Sequence, residues 1–193
     1  MKAPKNVLMV GVGGQGILLV SEIFSKALAI EGFDVKVSEV HGMAQRGGSV
    51  HSMIRYGEKI YSPVIMEGEA DEILAFEMLE ALRWLPYLSE EGRLIVNDQR
   101  IDPLPVAIGK QDYPSGILEK LKGVSSRLIS VDSLVLAKEA GNVRTANLVL
   151  LGILVRDLRI AREIFNEVIR RRVPAKTVEM NLKAFKLGLE YSS

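Results

Sequence analysis

The sequence predicts an α/β fold: a Rossmann-like, mostly parallel sheet with helices on both faces, a β-hairpin after the second strand and a helical C-terminal third. Three observations predict it. Short apolar runs alternate with stretches of helical period, the pattern of strands buried between helix layers. A glycine-rich turn joins the first strand to the first helix. Beyond residue 145 the helical period takes over.

Residues 7–10 form a continuous apolar run cut off by glycine, a buried parallel strand. Over 15–31 the period is helical: Val20, Phe24 and Leu28 share one face, Ile23 and Ala27 widen it, and Gly32 supplies a left-handed cap. Residues 35–40 alternate as a second strand and complete one βαβ unit. The stretch 41–49, with glycines at 42, 47 and 48, has no hydrophobic period and reads as an ordered loop. Residues 50–56 alternate again, and Gly57-Glu58-Lys59 turns into Ile60-Tyr61 as a hairpin.

Strands follow at 72–76, 93–97 and 128–131, with a helix over 78–88. Pro103 and Pro105 mark a connection. Asp132 caps a helix over 133–140 that Gly141 closes. Helices over 145–156, 161–172 and 175–189 complete one domain spanning 1–193, of which 145–193 is the helical part.

Composition narrows the function classes. Of 193 residues, 48% are hydrophobic and 25% charged, which excludes a disordered or collagen-like chain. A net charge of +1 provides no global field for nucleic acid or an anionic membrane. There is no cysteine, hence no disulfide, thiolate nucleophile or cysteine-ligated zinc or iron–sulfur cluster on this chain. The longest apolar stretch, 148–155, falls far short of the ~20 residues of a membrane span. The N-terminal apolar run is too short for a signal sequence, and a cytoplasmic location is expected.

Gly11-Val12-Gly13-Gly14-Gln15-Gly16 has the G-x-G-x-x-G spacing between a strand and a helix. Gly11 is expected to permit the tight turn, Gly13 to let a ligand approach the backbone, and Gly16 to let the helix pack on the strand. Exposed amides at a helix N-terminus suit an anion. Glu39, 23 residues past Gly16, could hold a ribose. The motif alone leaves three readings: a dinucleotide site, a site for another phosphate or a cofactor tail, and a tight turn that binds nothing.

The second unusual stretch runs from Glu39 to Val50. It gathers Glu39, His41, Met43, Gln45, Arg46 and Ser49 beyond the carboxyl end of the second strand, where open α/β sheets bind ligands. Arg46 followed by Gly47-Gly48 offers a guanidinium fork beside bare amides, suited to phosphate or carboxylate. The bland alternative is a Glu39–Arg46 pair shaping a loop for a partner subunit. No nucleophile-elbow context surrounds Ser49, and His41 and His51, the only histidines, do not make a metal site.

The blocks 11–19 and 39–50 resemble the gamma subunit or domain of the 2-oxoacid:ferredoxin oxidoreductases, most closely the small beta subunit of the indolepyruvate-oxidising members. Residues 147–152 and 181–188 resemble the family's C-terminal blocks. The resemblance implies an accessory subunit with no catalytic or metal-binding residue of its own. A large partner subunit would carry thiamine diphosphate and [4Fe–4S] clusters, converting an aryl-2-oxoacid and CoA to an acyl-CoA while reducing ferredoxin. It also implies that Gly11, Gly13, Gly14, Gln15, Gly16, Arg46, Gly47, Gly48 and Ser49 face CoA or its phosphates. Glu39, His41, Met43 and Gln45 would then line the cleft or an interface.

Two charge runs stand apart. Residues 67–80 carry six acids and no base; 156–176 carry seven bases against three acids. Both suit a solvated face or a steering patch. Trp84 and Tyr87, three residues apart, suit a core or interface anchor rather than a cofactor box.

Overall fold

The computed structural model describes residues 4–40 and 48–192. Six strands, β1 (Lys5–Val12), β2 (Asp34–Val40), β3 (Ser49–Gly57), β4 (Ala70–Ala75), β5 (Leu88–Asn97) and β6 (Leu128–Val131), form one sheet of order β2-β3-β1-β4-β5-β6. β1, β4, β5 and β6 pair in parallel. β3 is antiparallel to both its neighbours, so β2 runs with β1 and five strands share one direction. The mostly parallel sheet is as expected.

The place of β3 is not. It lies between the two strands of the N-terminal βαβ unit, with Val12 opposite Ser49 and Lys5 opposite Tyr56. The expected turn into Ile60-Tyr61 does not form, because β3 already has a partner on each side. Ile60 instead buries its side chain and donates its amide to Asp34 Oδ2 at 2.8 Å.

Helices cover both faces. α1 (Ile17–Ile30), α5 (Ser133–Ala140), α6 (Ala146–Val155), α7 (Arg162–Arg172) and α8 (Val178–Leu189) join the larger core. α2 (Met78–Trp84) and α4 (Ile117–Val124) pack in the second, with the one-turn α3 (Leu104–Ala107) between them in sequence. The expected helix 78–88 is shorter, since Pro86 ends it in a 3-10 turn over Leu85–Tyr87. α4 was not legible: only Ile117 and Leu121 are buried, and Gly123 weakens its signal.

α6 is buried along its whole length from Asn147. α8 crosses it at two glycines. A methyl group on Gly188 would stand 2.0 Å from Val149 O, and one on Gly152 would stand 2.3 Å from Phe185 O. The glycines of both C-terminal sequence blocks thus serve one backbone-to-backbone contact.

Candidate functional site

The carboxyl ends of β1, β4 and β5 converge on the glycine turn. Its conformation differs from the expectation. Gly11 lies inside β1, and a side chain there would meet Gln15, Ile17 and Phe76 at 2.7–2.8 Å. The turn itself falls on Gly14 (φ +103°) and Gly16 (φ +80°), angles that glycine adopts without strain. Gly13 does not offer its amide outward; it donates to Gly48 O at 2.9 Å and prolongs the β1–β3 ladder. Gly16 makes room for α6 rather than for the strand: its missing Cβ would stand 2.4 Å from Asn147 Nδ2.

Gln15 is a latch. Its Oε1 accepts from Val12 N at 2.8 Å, and its Nε2 donates to Phe76 O at 2.7 Å and to Gln99 Oε1 at 3.1 Å. Gln99 Oε1 also accepts from Asn97 Nδ2, and Asn97 Oδ1 accepts from the amide and hydroxyl of Ser133. A chain of amides therefore ties the glycine turn to the start of α5. The first turn of α1 has no side-chain cap and no acid, leaving its positive end without a carboxylate.

Three cavities open around this turn. One of about 520 Å³ lies against α5 and α6 and is lined by Gly13, Gly14, Gln99, Ser133, Arg144 and Asn147, among others. One of about 300 Å³ lies on the α1 side between Gly14, Leu18, Val40 and Val50. One of about 230 Å³ lies against α2, with Gly48, Ser49, Glu80 and Arg83 in its wall. The first is within the size range of small-molecule sites. Asn147 is only 6% exposed and its Oδ1 has no hydrogen-bond partner. A buried carbonyl left unpaired costs roughly 1–3 kcal/mol.

Ser49 lies beside the turn, donating to Glu80 Oε2 at 2.5 Å. Glu80 is buried and also bonds Arg83 at 2.6 Å. Glu77, equally buried, caps α2 through Glu80 N and accepts from Ile101 N and from the Tyr113 hydroxyl. Burial and then that carboxylate push the Tyr113 hydroxyl well above the ordinary range for tyrosine.

Glu39 is not at the turn. It accepts from Ser21 Oγ at 2.9 Å, in a separate groove with Glu22, Lys26 and Arg172 between α1 and β2. Insertion of β3 moves the end of β2 one strand, roughly 4.8 Å, further from β1 than in a dinucleotide fold. His41, Met43, Gln45, Arg46 and Gly47 lie outside the described residues. The Trp84 and Tyr87 rings meet at a tilt of 52° with centroids 5.0 Å apart and pack with the second core, with His51 4.3 Å from Trp84.

Sequence reasoning did not single out Asn97, Gln99, Arg144 or Asn147. A signal existed for Asn147, the one polar residue opening an otherwise apolar helix. Among the described residues, no group of three His, Asp or Glu side chains could hold a metal ion, and no helix is long and apolar enough to cross a membrane.

A six-stranded, mostly parallel α/β sheet with a glycine turn between β1 and α1 defines a class: an open α/β domain of the nucleotide-binding type. The pyruvate ferredoxin/flavodoxin oxidoreductase family model matches residues 6–191, and the chain belongs to that family. It is 42% identical over 192 residues to the indolepyruvate oxidoreductase subunit IorB of Pyrococcus horikoshii, covering 96% of this chain and 94% of that protein. The keto/oxoacid ferredoxin oxidoreductase gamma subunit of Geobacter sulfurreducens superposes with a TM-score of 0.72 at 25% identity, over 96% of both chains. The 2-oxoglutarate:ferredoxin oxidoreductase of Magnetococcus marinus shares the fold, with a TM-score of 0.75 at 20% identity, over 97% of this chain and 31% of that one.

Proposed function

We propose that this chain is the small subunit of an indolepyruvate:ferredoxin oxidoreductase. It forms one domain, acts in the cytoplasm and supplies part of the CoA site to a large catalytic subunit. Full-length similarity to IorB supports the partner and substrate class. The observation that carries a binding role is the cavity of about 520 Å³ at the glycine turn, with Arg144 and Asn147 among its lining residues.

Those groups fit CoA. Its phosphates suit Arg144, the uncapped N-terminus of α1 and the Arg46-Gly47-Gly48 segment. CoA supplies the thiol that accepts the acyl group; thiamine diphosphate and the iron–sulfur clusters belong to the large subunit. This chain's part is to hold the tail and exclude water from the cleft. Gln15 acts indirectly, fixing the turn against Phe76 and Gln99.

A stand-alone dinucleotide enzyme is the poorer reading, because the carboxylate it would place on a ribose, Glu39, is in another groove. The test is co-expression with the large subunit, followed by ferredoxin reduction with indolepyruvate and CoA and calorimetric titration of CoA. Activity is expected only in the complex, with CoA affinity falling at least about tenfold in Arg46→Ala and in Arg144→Ala, the loss of one charge-assisted contact. Full activity of the isolated chain, or unchanged CoA affinity in both variants, would discard the proposal.

A further inference from the structure

Two carboxylates lie buried at the start of α2. Glu77 is 1% exposed and Glu80 2%. Taking a carboxylate out of water costs free energy that its partners must recover. Glu77 recovers it close by, accepting from Glu80 N at 2.9 Å, Ile101 N at 3.1 Å and the Tyr113 hydroxyl at 2.5 Å. It caps α2 on its own, and Glu80 adds nothing to that cap. The Glu80 Oε1 instead takes Arg83 Nη1 at 2.6 Å, and its Oε2 reaches across to Ser49 Oγ on β3 at 2.5 Å. Replacing a buried ion pair by apolar groups is often neutral for stability. What Glu80 provides is a fixed place for Ser49.

That place matters to the glycine turn. Ser49 opens β3 opposite Val12. One step further, Gly48 O accepts from Gly13 N at 2.9 Å. Glu80, Ser49, Gly48 and Gly13 therefore form one chain of contacts from α2 to the turn. Gly13 and Gly14 line both the 520 Å³ and the 300 Å³ cavities, and Gly48 and Ser49 line the third. Gln15 holds the turn from the side of β4 and β5, through Phe76 and Gln99. Ser49 holds it from the side of β3.

The proton on Ser49 decides its role. A serine hydroxyl has one proton to give. Here it goes to Glu80, whose carboxylate is paired with Arg83. The pyrophosphate of CoA offers acceptors alone, so Ser49 has no proton left for it.

We infer that Ser49 and Glu80 are a positioning pair for the CoA site, rather than residues that touch CoA. Glu80 holds Ser49, and Ser49 sets the Gly48–Gly13 bond that shapes the turn. The inference rests on the proposed CoA site.

The test uses the co-expressed complex, with calorimetric titration of CoA and ferredoxin reduction with indolepyruvate. Ser49→Ala removes one atom and leaves Glu80 its bond to Arg83. Its CoA affinity should fall about tenfold, the scale of one hydrogen bond to a charged group. KM for CoA should rise by more than kcat falls, and Ser49→Thr, which keeps the hydroxyl, should restore both. Glu80→Leu should cost a similar factor, and the Ser49→Ala/Glu80→Leu double variant no more than either single one, since both act through one bond. In the free full-length chain, hydrogen exchange at the Gly13 amide should quicken in Ser49→Ala. If Glu80→Leu fails to fold, the two Ser49 variants and the Gly13 amide decide the matter. Wild-type CoA affinity in Ser49→Ala, an unchanged Gly13 amide, or losses that multiply in the double variant would overturn the inference, the last by showing that Ser49 meets the ligand itself. A wild-type complex that binds no CoA would overturn the proposed site as well, so the two failures are distinguishable.

Discussion

At the carboxyl end of the parallel strands, the glycine turn is fixed by a buried amide network, with cavities left open beside it. At the other end, the 58–69 loop is fixed by Arg55 on the Ser62 and Val64 carbonyls and by Asp34 on the Ile60 amide, with Ile60 and Ile65 buried and Tyr61, Val64 and Met66 on the outside. Both ends are rigid, but by different means. The first spends polar groups inward and keeps a hollow, which suits a small ligand. The second turns Tyr61, Val64 and Met66 to solvent from a backbone held by hydrogen bonds. β3 joins the two: its first residue bonds Glu80 near the turn, and its Arg55 braces the opposite loop.

Substitution at Gly16 should have the largest effect. Gly16→Ala forces a Cβ onto a φ of +80° and into Asn147 at 2.4 Å. Overpacking plus the left-handed conformation should cost about 2–4 kcal/mol. In a denaturation series, Asn147→Ala in the same background should return the overpacking share and leave the backbone share. If both single variants match wild type, the α6 contact does not fix the turn.

Gln15→Leu comes next. It keeps the shape but strands Val12 N–H, while Phe76 C=O keeps its bond from Asn97 Nδ2 at 3.1 Å, for a loss of about 1–3 kcal/mol. CoA affinity should fall with it, while proteolytic nicking of the 58–69 loop should not change. A change in both would mean that the two ends are coupled through β3.

How much of this was readable depended on the range of the interaction. The strand–helix alternation, the Asp132 cap and the Gly141 stop are local and were legible, as was the glycine turn itself. The position of β3 was not: a strand that pairs with β1 and β2 looks the same in sequence as one that folds back on its own turn. The reason for Gly16 was equally hidden, because Asn147 lies 131 residues away. Glu39 had suitable spacing for a ribose, yet one inserted strand removed it from the site. The resemblance included a block that begins at Asn147 but gave that residue no place in the site, and it did not include Arg144; the packing of α6 brings both to the turn.

The far loop yields smaller effects. Arg55→Ala removes the bonds to Asn6 Oδ1, Ser62 O and Val64 O, two of them on the exposed side. A loss of about 1–2 kcal/mol is expected, since those carbonyls can turn to water. Proteolytic nicking within 58–69 should rise more than global stability falls. Equal nicking in variant and wild type would mean that Arg55 does not brace the loop.

The smallest effect is a pH dependence of the same loop. The carboxyl of Asp34 is held below its ordinary value of 3.8 chiefly by the Ile60 amide, and also by Lys36 at 2.5 Å. A depressed folded pKa means that this support is complete above the unfolded value and is lost as pH falls through the folded one. Protection of the Ile60 amide in hydrogen exchange should therefore decline between roughly pH 5 and 2.5, after correction for the intrinsic rate. Asp34→Asn keeps an acceptor but no charge, so its protection should be lower at pH 5 and change less on acidification. The amides around the glycine turn, whose latch is a neutral glutamine, should not share that decline. A parallel decline at both ends would show that acid loosens the sheet as a whole, and that the two ends do not differ in how they are held.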